Sequence, residues 1–375
     1  MSELLYFIQV AFLGGVTLWF TRRQWFLQLQ TLGWIFLTTV IALRFGLLEQ
    51  QNFYSNDQRY HTDLVKEILA TGLPLDRDGW LSAIRIPYVL PATLVTAIGI
   101  NPLLALKFIS LLALLTTTSR IQHLVALAST MRDAMLSTYL CATALIGIYF
   151  AALGLRETTM MLLVLWFFTC TATSAKLGAL LGLGLLRPHL AAAALIGSLL
   201  PLALHKLRHN STAKPLANFT YLAVAPILGY YVYSFGIYLQ SDGHSVTRHN
   251  WGISPVLRIA SNYVGLQFLT VRESTVEFST TSLLLLRLLL SETVLTPLLF
   301  TVTVLMTRRH SLLMQSVVWS FGIYVGIATN TDFNSFRQNI PFMPVMGLIV
   351  LLSWKEHREG GSDVQTPPLT LQRET

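Results

Sequence analysis

Charge is scarce in this chain of 375 residues. Lys, Arg, Asp and Glu together make up 12% of it, far below the share a soluble domain needs to cover its surface. Only two cysteines occur, Cys141 and Cys170, and both fall inside apolar runs, which argues against a disulfide framework and against a cysteine-based metal site. No basic segment precedes the first apolar run, Leu4–Phe20, and no small-residue cleavage site follows it before Arg22 and Arg23. That run reads as a retained helix and not as a signal peptide.

Apolar sequence fills the space that charge leaves. Hydrophobic residues reach 53%, and mean hydropathy is +0.57. The runs are long and recur down the chain, so the expected fold is an all-α polytopic membrane protein, because runs near 20 apolar residues cross a bilayer as helices. The expected spans are 5–20, 26–45, 103–129, 134–154, 158–174, 190–205, 217–239, 283–306, 311–330 and 336–354, with a short Gly-rich one at 176–186, or about 11 in all. The net charge of +8 would suggest nucleic acid in a soluble protein. Here it suits cytoplasmic loops and anionic lipid headgroups, and no nucleic-acid partner is expected.

The basic loops set the topology. Arg22–Arg23, Arg132, Lys176, the stretch HKLRHNSTAK at 205–214, Arg308–His310 and the polar tail 355–375 are expected in the cytoplasm. Segments 46–102 and 240–282, the turns at Arg156–Glu157 and Arg187–His189, and the stretch 330–339 then face outward. IPYVLPATLVTAIGI at 86–100 is too short to cross and carries Pro87 and Pro91. Counting it as a span would also put every later basic loop on the wrong side. It reads as re-entrant or interfacial, within one transmembrane domain over 1–354.

Most of the acids then lie on the outer face. The densest stretch is SNDQRYHTDLVKE at 55–67, with Asp57, Arg59, His61, Asp63, Lys66 and Glu67. Carboxylates beside a bilayer are costly unless something uses them. Asp57 and Glu157 both fall at the outer end of a helix, which lets them converge. Arg59, Arg85, Arg156, Arg187, His189 and Arg337 are on the same face, and an arginine fork binds phosphate oxygens in pairs. A carboxylate base beside such arginines suits group transfer from a lipid phosphate: the base takes the acceptor's proton and the arginines hold the departing charge. The blander roles are an amphipathic interfacial helix for Arg59, Lys66 and Glu67, a helix start for Glu157, and turns for Arg187 and His189. Glu292 and Arg287 lie within an expected span, where they would pair with each other or with Lys107.

Several of these stretches resemble the GT-C glycosyltransferases, membrane enzymes that use polyprenyl-phosphate sugars. The similar residues are Asp57-Gln58-Arg59-Tyr60-His61 followed by LVKEILATGLP, the stretch IRIPYVLPATLVTAIGINP, Glu157 in ALGLRET, and FRQNIPFMP at 336–344. The resemblance implies a glycosyltransferase of the bacterial inner membrane with its site facing outward. Its catalytic residues would be Asp57 and Glu157. Arg59, His61, Arg85, Arg156, Arg187, His189 and Arg337 would bind substrate and lipid phosphate, and the acceptor would be a glycan, a lipid or a protein. The chain departs from that family in its extra first helix and in Arg156, which stands where a second acid is usual. The only acids at the site are then Asp57 and Glu157, which leaves Mg2+ or Mn2+ as an open cofactor question. Two other classes fit the sequence: a polysaccharide polymerase of the O-antigen or exopolysaccharide type, with LGLRET and LRPH as its outward arginines, and a lipid or sugar transporter, for which no internal repeat is found.

Overall fold

The computed structural model describes residues 2–22, 24–44, 56–73, 85–126, 145–207, 222–234, 257, 259, 260, 263, 292–307, 311–330 and 339–359. Among them every regular element is helical and no strand occurs. Two helices are long and apolar enough to cross a membrane, Pro102–Val125 and Leu312–Thr329. Shorter apolar helices accompany them, among them Leu4–Phe20, Thr173–Leu186 and Thr293–Met306. The expected loop 240–282, the tail 355–375 beyond Glu359, Arg132, Arg287 and Arg337 lie outside the described residues, apart from isolated positions near 260.

The chain divides into two compact units, one of residues 1–163 and 181–188, the other of residues 164–180 and 189–375. In the first, α1 (Ser2–Phe20) packs on α2 (Trp25–Arg44), and both meet α5 (Pro102–Ala126). Leu4, Ile8, Phe12, Trp19 and Phe20 of α1 are left exposed, a pattern that suits lipid better than water. α3 (Asn56–Thr71) is amphipathic: Gln58, His61, Thr62, Leu64, Val65 and Ile68 are buried at helical spacing, while Arg59, Asp63 and Lys66 face out. It packs on α4 (Ile86–Ala97) and α5.

α4 and α5 form a helical hairpin. Pro87 sits in the first turn of α4, where its missing N–H costs nothing, and Pro91 lies within the helix. The connection turns at Gly99, whose φ of +93° favours glycine. Asn101 caps α5 by accepting from the Leu103 amide at 2.9 Å, with Pro102 at the first helical position. Gln9 of α1 ties the connection down, accepting from the Asn101 amide at 3.0 Å and donating to the Gly99 carbonyl at 3.3 Å. With 12 residues, α4 rises about 18 Å, well short of a bilayer core of about 30 Å.

α6 (Leu145–Leu153) packs on α2 and α5, and α7 (Glu157–Thr169), α8 (Thr173–Leu186) and α9 (Pro188–Leu207) follow. In the second unit, α10 (Leu222–Ser234), α11 (Glu292–Met306), α12 (Leu312–Asn330), a 3-10 turn (Ile340–Phe342) and α13 (Met343–Glu359) complete the described chain. Its helices touch through glycine. A Cβ on Gly197 of α9 would collide with the Ser320 backbone nitrogen of α12, and one on Gly229 of α10 with the Ile323 carbonyl. Small residues that bring backbones this close are how helices associate where no hydrophobic gradient drives them together.

Candidate functional site

The turn between α6 and α7 organises the site. The Leu155 amide donates to the Phe150 carbonyl at 3.2 Å, and the Gly154 amide to the Ala151 carbonyl at 3.0 Å. This is a Schellman motif with Gly154 in the left-handed position at φ +66°. The carbonyls of Leu153, Gly154 and Leu155, at and just past the helix end, then take donors from three other helices. Gln58 of α3 donates its side-chain amide to Leu153, Tyr88 of α4 donates its hydroxyl to Gly154, and Ser110 of α5 donates to Leu155 at 3.0 Å. Arg156 and Glu157 come directly after this clamp, so their places are fixed relative to Asp57, the neighbour of Gln58.

Glu157 opens α7 and is 1% exposed. Its charge suits the partial positive charge of a helix N-terminus. Asp57, in the first turn of α3, is half-buried, so it can be reached from outside. His61 stands one turn further along α3 at 2% exposure, edge-on to the rings of Tyr60 and Tyr88 at 5.5 and 5.3 Å. Its Nδ1 makes no hydrogen bond within the described protein. Burial, reinforced by Arg156, lowers the imidazole to about 4, against the opposing pull of Asp57 and Glu157. The ring is therefore neutral at physiological pH.

Arg85 precedes α4 in a left-handed conformation, φ 56° and ψ 42°, unusual for a residue with a side chain. Its Nη1 donates to the Leu186 carbonyl at the end of α8 at 2.7 Å, beside Arg187. Burial, then Arg156, pulls this guanidinium down to about 10, with Arg187 adding to the effect and Tyr60 and Asp57 opposing it. It remains charged at neutral pH. Asp57, His61, Arg85, Arg156, Glu157 and Arg187 thus form one electrostatic cluster within the first unit. Three guanidiniums against two carboxylates leave it net positive.

Of the three other candidates, one stands apart from this cluster. Arg59 is on the exposed face of α3, with its side chain 71% accessible and 3.9 Å from Asp63, a pairing worth little in water. His189 belongs to the second unit, where it stacks on Tyr324 at 6.0 Å. Arg337 is outside the described residues. Among the described residues, no three His, Cys, Asp or Glu side chains are arranged to hold a metal ion. Asp57, Glu157 and His61 alternate with arginines, a poor donor set for a hard divalent cation.

Sequence reasoning missed Gln58, Tyr88, Ser110 and Gly154. The clue for two of them was position, since Gln58 adjoins Asp57 and Gly154 precedes Arg156 by two residues. Glu292 and Arg287 were expected to pair with each other or with Lys107; Arg287 and the side chain of Glu292 lie outside the described residues. Lys107 is fully buried, and its Nζ has no hydrogen-bond partner among the described residues. No protein-family model matches the chain, and neither a curated protein nor a solved structure is found to be similar to it.

Proposed function

We propose that this chain is a polytopic membrane glycosyltransferase that moves a sugar from a polyprenyl-phosphate donor to an acceptor hydroxyl on the outer face of a bacterial inner membrane. The observation that carries the reading is the convergence of Asp57, Glu157, His61, Arg85, Arg156 and Arg187 from four separate chain segments into one positively charged cluster. About 11 spans would place that cluster at the outer surface. Asp57 is the base, because it is the more accessible carboxylate; it takes the proton of the acceptor hydroxyl as the sugar carbon leaves the phosphate. Glu157, buried at a helix start, holds the arginines in place. Arg85, Arg156 and Arg187 bind the lipid phosphate and stabilise the charge left on it when the glycosidic bond breaks. Arg337 would add a further fork from the late outer loop. The donor set gives no ground for routing a step through Mg2+ or Mn2+.

Mass spectrometry of lipid copurified with the protein tests the donor class. Polyprenyl phosphate, or a polyprenyl-phosphate sugar, is the expected result. A pyrophosphate-linked oligosaccharide would favour a polysaccharide polymerase, a reading that the three clustered arginines also suit. Phospholipid alone would favour a transporter. Reconstituted protein supplied with a polyprenyl-phosphate sugar and an acceptor should then lose on the order of 10²-fold in transfer rate on Asp57→Asn, and an unchanged rate removes Asp57 as base.

A further inference from the structure

We propose that His61 takes up a proton when a lipid phosphate enters the arginine cluster, so that donor binding and protonation of this ring are one coupled event. The inference rests on the reading of the cluster as a lipid-phosphate site. His61 lies one helical turn from Asp57 on the buried face of α3, 2% exposed, and Nδ1 has no hydrogen-bond partner within the described protein. A buried ring nitrogen left without a partner is uncommon, and it is explained if a ligand supplies one. The groups that act on its charge or touch its ring come from four segments. Asp57 and Tyr60 come from α3, Arg85 from just before α4 and Tyr88 from within it, Arg156 from the turn after α6, and Glu157 from the start of α7.

Among the protein's own groups this balance goes against a charged ring. Burial disfavours it first, Arg156 and Arg85 repel it, and the two carboxylates only partly compensate. A phosphate bound by Arg85 and Arg156 reverses the balance, because its negative charge offsets the two repelling guanidiniums and attracts an imidazolium directly. A unit charge about 4 Å away in a partly buried site is enough to raise the ring by about three pH units, which moves its titration from the acid range to near neutrality. The proton comes from solvent and adds to the neutral ring. The resulting imidazolium then donates to a phosphate oxygen as a further cationic ligand. Such a site holds a lipid phosphate through its negative charge, and binding weakens as pH rises.

Calorimetric titration of the full-length protein in detergent with farnesyl methyl phosphate tests this. That diester carries one fixed negative charge and does not itself titrate in the range used. Measured at pH 6 in two buffers of different ionisation enthalpy, wild-type protein should take up about one proton per ligand bound. His61→Gln should still bind, several-fold more weakly, with the uptake gone. Uptake that persists unchanged in His61→Gln assigns the proton to Asp57 or Glu157 and overturns the proposal. Wild-type binding without uptake also overturns it, while leaving the lipid-phosphate site standing. Absence of binding in wild type removes the lipid-phosphate reading and the proposal together. If His61→Gln does not fold, the wild-type titration at pH 6 and pH 8.5 decides: affinity must fall between the two, and equal affinity overturns the proposal.

Discussion

Gly154 lies directly against Lys107, so that a Cβ at position 154 would stand 2.8 Å from Lys107 Cγ and 3.0 Å from the Lys107 backbone nitrogen. The turn that carries Arg156 and Glu157 therefore rests on the backbone of α5 at a place with no room for a side chain.

The first prediction is that Gly154→Ala costs more stability than Gly99→Ala. Both glycines have positive φ, +66° and +93°, and each substitution bears backbone strain of about 1–3 kcal/mol. Gly99 has nothing within 4 Å of an added Cβ, whereas at Gly154 the neighbour is backbone and cannot swing aside. Thermal unfolding in detergent should show the larger drop for Gly154→Ala. Equal drops would mean that the turn does not press on α5.

A second prediction separates two of the three donors of the clamp, Tyr88 and Ser110. Tyr88→Phe leaves the buried Gly154 carbonyl without the hydroxyl that serves it, at a cost of about 1–3 kcal/mol. Ser110→Ala should cost less, because Thr158 also reaches the Leu155 carbonyl, at 3.4 Å. Melting temperatures for the two variants give the order, and a greater loss for Ser110→Ala would contradict it.

These residues also mark how far the sequence could be read. The helix at 56–71 was legible because its charged and apolar residues alternate at helical spacing, and Glu157 was legible as a helix start. The convergence of Asp57 with Glu157 could be anticipated from their placement at helix ends. What brings them together could not, because Tyr88 and Ser110 look like ordinary polar residues in apolar runs until their partners are known. Arg187 and His189 read as one turn, yet they fall in different units on either side of Pro188. Arg85 gave no sequence sign of its left-handed backbone or of its bond to the distant Leu186 carbonyl. Arg59 was grouped with the site because it lies in the same short motif as Asp57, but each residue turns the helix by about 100°, and that sends it to the exposed face.

A third prediction concerns acid stability. His61 has its folded value lowered to about 4 from an ordinary 6.5. Between those values the unfolded chain binds the proton and the folded protein does not, so stability rises with pH there. The contribution is fully present above about pH 6.5 and is lost as pH falls toward 4, to the extent of about 3 kcal/mol for a ring this buried. In melting curves without lipid ligand, wild type should lose stability across this window more steeply than His61→Gln. Parallel curves would show that the ring is solvated or already charged.

The last prediction concerns the hairpin of α4 and α5, on which the proposed outward placement of the site depends. Ser110 Oγ lies 3.5 Å from the Tyr88 hydroxyl, so the two helices run antiparallel, with the Gly99 connection about 12 Å beyond that pair along α5. The connection is thus at the same end of α5 as its capped start at Asn101. A helix of 12 residues cannot carry the chain from one side of a bilayer to the other before α5 begins. Residues on α3 and in the connection should then be reached from the same aqueous face. Ala70 and Ile98 are both exposed and outside the charged cluster, and Ile98 is 73% accessible. With Cys141 and Cys170 replaced by serine, Ala70→Cys and Ile98→Cys should both react with a membrane-impermeant maleimide added to the outside of intact cells. Labelling from opposite faces would make α4 a crossing helix and invert every loop after it. The later loops proposed to face outward, including the stretch 330–339, would then face the cytoplasm.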